Sequence, residues 1–346
     1  MAWCALIDRY GDWLREGAVQ SNRLFPTGCL MVQINLRDCP TGTTLMSFEG
    51  TQPWRRHISL SVNAKGNIEM QIGEGDKTTV SVENDFTSKA DTNDLLLTYA
   101  WDAPGRSARL TISDSVGFLG QTKVIKTPPP LFQDDLLHLA STAGFGAITF
   151  CALSDTAEPI GPMPGIDLLT LIDTPSGPRC AGKIRTGDQI LTVRGIQTVL
   201  ARIQRDLPAA GVFSPIRLQA RPHGLNRPLT VAAHQPLVFE GSDVEYTIGK
   251  PRVHIPASQL ERHTEPDRQS SVKTYCQFLL PKPAGIHAQG VALASLNIGR
   301  LRRHSDDLRL SLLGNLPAGI LPEHGDNFIP SFSGYDAQLL ARGRTA

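Results

Sequence analysis

The sequence predicts an all-β protein: an N-terminal β-sandwich followed by a second β domain with a short helical tail. Three observations carry this expectation. Short segments with apolar residues at every second position recur through the first half of the chain. Glycine (31) and proline (25) are abundant, which favours many short strands joined by tight turns over long helices. A chain of 346 residues exceeds one ordinary core and suffices for two.

The first half reads as an antiparallel meander. Ile58, Leu60 and Val62 alternate on one face, and after Asn63-Ala64-Lys65-Gly66-Asn67 the alternation resumes with Ile68, Met70 and Ile72, which predicts a hairpin with a glycine-containing loop. Val80 and Val82 continue the pattern. Leu95, Leu97, Tyr99 and Trp101 form another period-two face, and Asp102-Ala103-Pro104-Gly105 turns the chain into Ala108–Ile112. Ala147 to Cys151 closes the set. Half-apolar strands at this spacing suit two sheets that each bury one face.

A Pro/Gly-rich joint follows. Pro159, Pro162 and Pro164 remove backbone donors, while Gly161 and Gly165 interrupt regular structure, so residues 1–158 are expected as one domain. Residues 159–300 form the second domain. Its strands are expected at Pro215–Leu218, Leu229–Val231, Pro236–Phe239 and near Val291. Residues 301–346 read as a helical extension: Leu308, Leu312, Leu313 and Leu316 recur at helical spacing after Ser305 as N-cap, Pro317 stops the helix, and a second helix is expected around Asp336 to Leu340.

Two resemblances sharpen this reading. The stretch LLLTYAWDAPGRSARLTI makes residues 20 to 155 similar to a concanavalin A/laminin-G-type sandwich, which implies architecture more than activity. The stretches TLIDTPSGP, TGDQILT and VHIPASQL resemble bacterial Hint (hedgehog/intein) domains, which process themselves. The resemblance implies a nucleophile at the start of the domain, a histidine before an apolar strand, and a His-Glu pair before a later strand and glycine. In this chain those positions hold Gly165, Gln235 and Pro283-Ala284.

Self-cleavage needs an attacking thiol or hydroxyl, a proton-transfer group and donors for the oxyanion. Glycine offers nothing to attack with. His234 stands one residue before the family's histidine position, and on an extended strand that offset turns its side chain to the opposite face. Thr170 and His234 are the fallback catalytic candidates; Ser154 is a further hydroxyl, and Cys180 reads as a core thiol. The expected function is therefore a non-catalytic binding or assembly module, with the sandwich as surface for a protein or glycan ligand. The alternative is an autoprocessing protein that releases its N-terminal domain.

Other chemistry is not indicated. A formal charge of +1, from 34 basic and 33 acidic side chains, supplies no field for nucleic acid or anionic membrane. The six cysteines contain no CxxC, and the nine histidines lack zinc-site spacing, so neither metal nor cofactor is expected. Asp85, Asp91 and Asp94 could hold calcium but read equally as solvated loop residues. Trp54-Arg55-Arg56 is read as a cation–π pair beside a loop, and Arg300–His304 as a solvated basic face. Asp8 and Asp12 interrupt any secretory signal, so the expected location is cytoplasmic, or exported without a classical signal peptide.

Overall fold

The computed structural model describes residues 3–15, 23–84, 94–114, 120–143, 146–220, 224–260 and 270–325. The chain divides into two compact units, Met1–Gly161 and Pro162–Ala346, and the division falls inside the Pro/Gly joint.

The first unit holds a seven-stranded sheet and a four-stranded sheet. The larger has the strand order Gly120–Lys126, Ser107–Asp114, Asp94–Asp102, Thr27–Asn35, Ile148–Ser154, Trp3–Asp8, Trp13–Arg15. The smaller is a simple meander of Thr43–Gly50, Arg56–Val62, Ile68–Glu74 and Lys77–Asn84. One apolar core joins their inner faces: Ile58, Leu60, Ile68, Met70 and Ile72 from the meander meet Leu30, Val32, Leu97, Tyr99, Trp101 and Leu110. This is the sandwich that alternation demands, since each strand has one apolar face to hide.

The hairpin expected at residues 57–72 forms with Val62 opposite Ile68, and Gly66 adopts a left-handed φ of 81° in its loop. In the Asp94–Asp102/Ser107–Asp114 hairpin, the Asp102 carboxylate accepts the Gly105 N–H at 2.9 Å and fixes the turn. Across the adjoining strand, Gly28 lies opposite Trp101, where a Cβ would sit 2.3 Å from the indole, so only glycine lets the ring lie flat there. Arg56 stacks on Phe132 (4.6 Å) and Trp54 (5.7 Å) while its guanidinium pairs with Asp135 at 2.6 Å, a clamp on the loop before its own strand. A helix that alternation does not announce, Gln133–Ser141, packs Leu136 and Leu139 into the same core.

The second unit has two sheets with short strands. A five-stranded sheet runs Ala201–Pro208, Val272–Leu279, Ile166–Asp167, Leu229–Ala232, Pro215–Leu218. The other includes Arg179–Cys180, Leu171–Ile172, Gly285–Ala288, Val291–Ala294, Pro236–Glu240 and Arg252–Pro256, with the hairpin Gln189–Thr192/Gly195–Thr198 attached. The Thr-Gly-Asp turn closes as its residues suggest: the Asp188 carboxylate accepts the Arg185 N–H at 2.9 Å, and Gly187 takes φ 90°.

The tail helix departs from the expectation, and VHIPASQL divides between two elements. VHIPASQL is a strand only to Pro256; Ala257–Leu260 is a helical turn, its first N–H donated to the Gln235 carbonyl (3.0 Å). The tail helix spans Ser305–Leu310, with Ser305 inside it and His304 at the cap. It ends early because the Ser311 hydroxyl donates to the Leu308 carbonyl (2.7 Å) and accepts the Leu313 N–H (3.1 Å), a local closure that competes with another helical turn. The tail also shares a core with the sheet, Leu313 and Ile298 packing with Ala201, Ile203 and Leu279. The helix expected around Asp336 to Leu340 lies outside the described residues, as do Asp85 and Asp91. Among the described residues no helix is long and apolar enough to cross a membrane.

Candidate functional site

Ile166 occupies the middle strand of the five-stranded sheet, paired with Val231 on one side and Cys276 on the other. The segment leading into it, Pro162 to Gly165, is therefore carried into the interior, and each of its four residues is buried. Its two prolines bring no N–H to satisfy, which eases that burial. The Gly165 carbonyl accepts the Ala232 N–H at 2.8 Å, extending the pairing by one residue.

The residues after Ala232 do not continue as a strand. Gln235 N–H returns to the Ala232 carbonyl (2.9 Å), closing a turn. This turn reverses the expectation for His234: with the period-two geometry gone, His234 and Gln235 both face Gly165. A Cβ built at position 165 would lie 2.7 Å from Gln235 Oε1, 2.9 Å from Gln235 Cβ and 3.3 Å from His234 Nε2. The first two are closer than carbon or oxygen atoms tolerate, so glycine at 165 and glutamine at 235 fit each other as a pair.

Gln235 is held on every polar atom. Its Nε2 donates to the Pro236 (3.0 Å) and Ala294 (3.2 Å) carbonyls, and its Oε1 accepts from Gln277 Nε2 at 3.0 Å. Gln277 Nε2 also donates to the Ala294 carbonyl (3.2 Å), and its Oε1 accepts the Phe278 N–H (3.0 Å). Two buried amides thus converge on one carbonyl. An amide neither takes up nor releases a proton near neutral pH, so this pair binds and orients but transfers no proton.

His234 has carbonyl oxygens at both ring nitrogens: Val212 O at 2.9 Å from Nδ1 and Met163 O at 3.0 Å from Nε2. Phe213 meets the ring edge-on at 5.4 Å between centroids. Burial pushes the imidazole pKa below its ordinary value, against the opposing pull of the two carbonyls. Nearby, Tyr275 donates its hydroxyl to the Phe213 carbonyl (2.9 Å), and Lys273 pairs with Asp167 at 2.6 Å. Cys276, beside Ile166, is fully buried and its thiol is pushed up to about 12 by desolvation.

The remaining sequence candidates lie as follows. Thr170 donates its hydroxyl to the Thr230 carbonyl at 2.9 Å. Ser154, in the first unit, donates to the Glu158 carboxylate at 3.1 Å. Cys180 is half-buried in the strand paired with Leu171. Pro283 and Ala284 precede the strand Gly285–Ala288, where Ala284 N–H donates to the Ser295 hydroxyl (2.9 Å). Sequence reasoning missed Gln277. Its signal was a lone amide inside the apolar run of TYCQFLL, but the strand pairing that carries it to Gln235 is not written locally. Among the described residues no group of three or more His, Cys, Asp or Glu side chains could hold a metal ion.

Comparison with known proteins finds one family match, within the second unit. Residues 168–300 match the Hint domain family. No curated protein matches the chain. Among solved structures the chain is similar to full-length tailspike protein 2 from Escherichia coli O157:H7 bacteriophage CAB120 (12% identity over 41% of this chain and 19% of that one, TM-score 0.22). It is also similar to galectin-Ib of Xenopus laevis (12% identity, 46% and 94%, TM-score 0.21). A third similarity is to the enzymatically active domain of bacteriophage CBA120 tailspike protein 2 (11% identity, 52% and 23%, TM-score 0.23). The chain spans less than a quarter of either tailspike structure, and at these TM-scores none of the three carries an argument.

Proposed function

We propose that the second unit, whose residues 168–300 belong to the Hint domain family, is a non-catalytic clamp that grips the segment Pro162–Gly165 without cutting it. The observation that carries this reading is the fit between Gly165 and Gln235, where any side chain at 165 would collide with a fully hydrogen-bonded amide. A covalent route needs an attacking atom, and glycine has none. Proton transfer typically contributes ~10²–10⁴ in rate, and the Gln235–Gln277 pair does not supply it. On this reading the chain is a binding or assembly protein, and the sandwich is the surface that meets a protein or glycan.

Autoprocessing remains the second reading, and Hint family membership itself favours it. Its further support is His234 Nε2, which reaches a carbonyl of the very segment where cleavage would fall. The two readings separate in one measurement. Purified full-length protein is incubated with thiol or hydroxylamine and its intact mass followed. The clamp predicts a single species at 37.6 kDa; two fragments split near Gly165 would replace it with the autoprocessing reading.

A further inference from the structure

Residues 321–325 lie against the helical turn Gly299–Arg302 and are tied there in three ways. A Cβ at Gly299 would sit 2.7 Å from the His324 carbonyl oxygen and 2.8 Å from that of Gly325, so glycine is what admits the segment this closely. Arg302 Nη1 donates to the Leu321 (3.3 Å) and Pro322 (2.8 Å) carbonyls, and Leu321 packs against the small core of Ala201, Ile203, Leu279 and Ile298. The third tie is the buried His324 ring. The Ile298 N–H donates to its Nδ1 at 3.1 Å, and its Nε2 lies 2.8 Å from the Leu280 carbonyl. A backbone amide can only donate, so Nδ1 is the bare nitrogen and Nε2 carries the hydrogen. His234 differs here: with a carbonyl at each nitrogen, it loses no partner on protonation.

We infer that His324 is a proton-sensitive fastener: its neutral ring ties residues 321–325 to Ile298, and protonation breaks that tie. The inference stands apart from the clamp reading, since no residue of Pro162–Gly165 takes part in it. Protonation keeps the bond to Leu280 O but adds a hydrogen at Nδ1 that points at the Ile298 N–H. Two donors then face each other across 3.1 Å, and the amide of the fully buried Ile298 loses its acceptor. Ile298 is itself held, its carbonyl accepting the Arg302 N–H at 2.9 Å, so the ring is the partner that moves. The charged groups on the packed elements do not repair the clash. Arg302 and Arg300 on the helical turn and Lys282 beyond Leu280 are cations, and Arg302 is close enough to oppose a charge on the ring. Glu323, the carboxylate beside His324 in the chain, is exposed.

Burial lowers the ring's pKa against the pull of the Leu280 carbonyl, and Arg302 adds to the lowering. An unfastened ring in water titrates in the ordinary imidazole range. The tie is therefore complete above that range and weakens as pH falls toward the lowered folded value. Hydrogen exchange of the full-length protein, corrected for intrinsic rates, reads the Ile298 amide against that of Leu97, buried in the first unit. The opening equilibrium at Ile298 should rise by up to about tenfold per pH unit across that window, with Leu97 unchanged. In His324→Asn, whose side-chain oxygen can accept the Ile298 N–H but does not titrate, the Ile298 profile should be flat. A flat wild-type profile, the same slope in the variant, or an equal rise at Leu97 overturns the inference. If His324→Asn does not fold, nitrogen-15 NMR of the wild-type protein decides instead. Loss of Ile298 protection in step with protonation of Nδ1 supports the fastener, and protection that survives it refutes it.

Discussion

The loop Asn63–Asn67 and the turn Ala232–Gln235 both reverse the chain between short apolar stretches, yet the first is held by exposed bonds and the second by buried ones. In the first, Asn63 Oδ1 accepts the N–H groups of Lys65 (2.9 Å) and Asn67 (3.1 Å), and Gly66 supplies the positive φ. The backbone ties within the loop are local. Beyond it, Asn63 and Asn67 Nδ2 both donate to Glu83 Oε1 of the neighbouring Lys77–Asn84 strand in solvent-exposed bonds (2.8 and 2.7 Å), and the Gly42 N–H donates to the Asn63 carbonyl (3.2 Å). In the second, His234 and Gln235 are buried and reach Met163, Val212, Ala294 and Gln277, none of them close in sequence. A turn of the first kind connects strands that pack for their own reasons, and its outside bonds are exposed ones to an adjacent strand and loop. A turn of the second kind is a junction through which four remote segments are tied.

The comparison predicts where stability resides, and the largest effect belongs to the apolar faces of the sandwich. Trp101 is fully buried, stacks on Tyr99 at 5.6 Å and donates its indole N–H to the Phe25 carbonyl at 3.0 Å. Trp101→Ala is expected to cost about 3–5 kcal/mol in urea unfolding, from lost burial, the cavity left and an orphaned carbonyl. A loss under about 1 kcal/mol would mean that the face repacks freely, contrary to interiors packed at crystal-like density.

A smaller effect belongs to the site turn, and its signature is non-additivity. Gln277→Leu removes the donor to Gln235 Oε1 and leaves that buried oxygen unpaired, at about 1–3 kcal/mol. Replacing both Gln235 and Gln277 by leucine removes donor and acceptor together, so the double variant is expected to lose less than the sum of the two single ones. Strict additivity in the thermal or urea midpoints would break the picture of one coupled junction.

These same residues show what could be read from the chain. The hairpin at residues 57–72, its loop, and the strands ending at Trp101 follow from alternation and turn residues, because each is decided within about ten positions. The resemblance singles out positions 165 and 235 one by one, but their contact is seen only in the structure. The orientation of His234 could not. A strand and a turn differ there by one backbone bond, Gln235 N–H to Ala232 O, which the local residues do not dictate. Gln277 escaped for a related reason: its role depends on Cys276 pairing with Ile166 across a long sequence gap. Likewise the helix Ser305–Leu310 stops where the Ser311 hydroxyl intervenes, although the leucine spacing alone runs on to Leu316.

The smallest expected effect returns to the sandwich loop and isolates what a local turn contributes. A Cβ at Gly66 would meet nothing nearer than Thr41 Cγ2 at 3.8 Å, so Gly66→Ala carries no steric penalty from neighbours. What remains is the cost of holding an L-residue at φ 81°, about 1–2 kcal/mol. The loss should appear in the unfolding midpoint without a change in the denaturant slope, because the same surface is exposed on unfolding. If Gly66→Ala were instead as damaging as Trp101→Ala, the loop would be fixing the register of its flanking strands and not merely joining them. The division between connecting turns and tying turns would then fail at its simplest example.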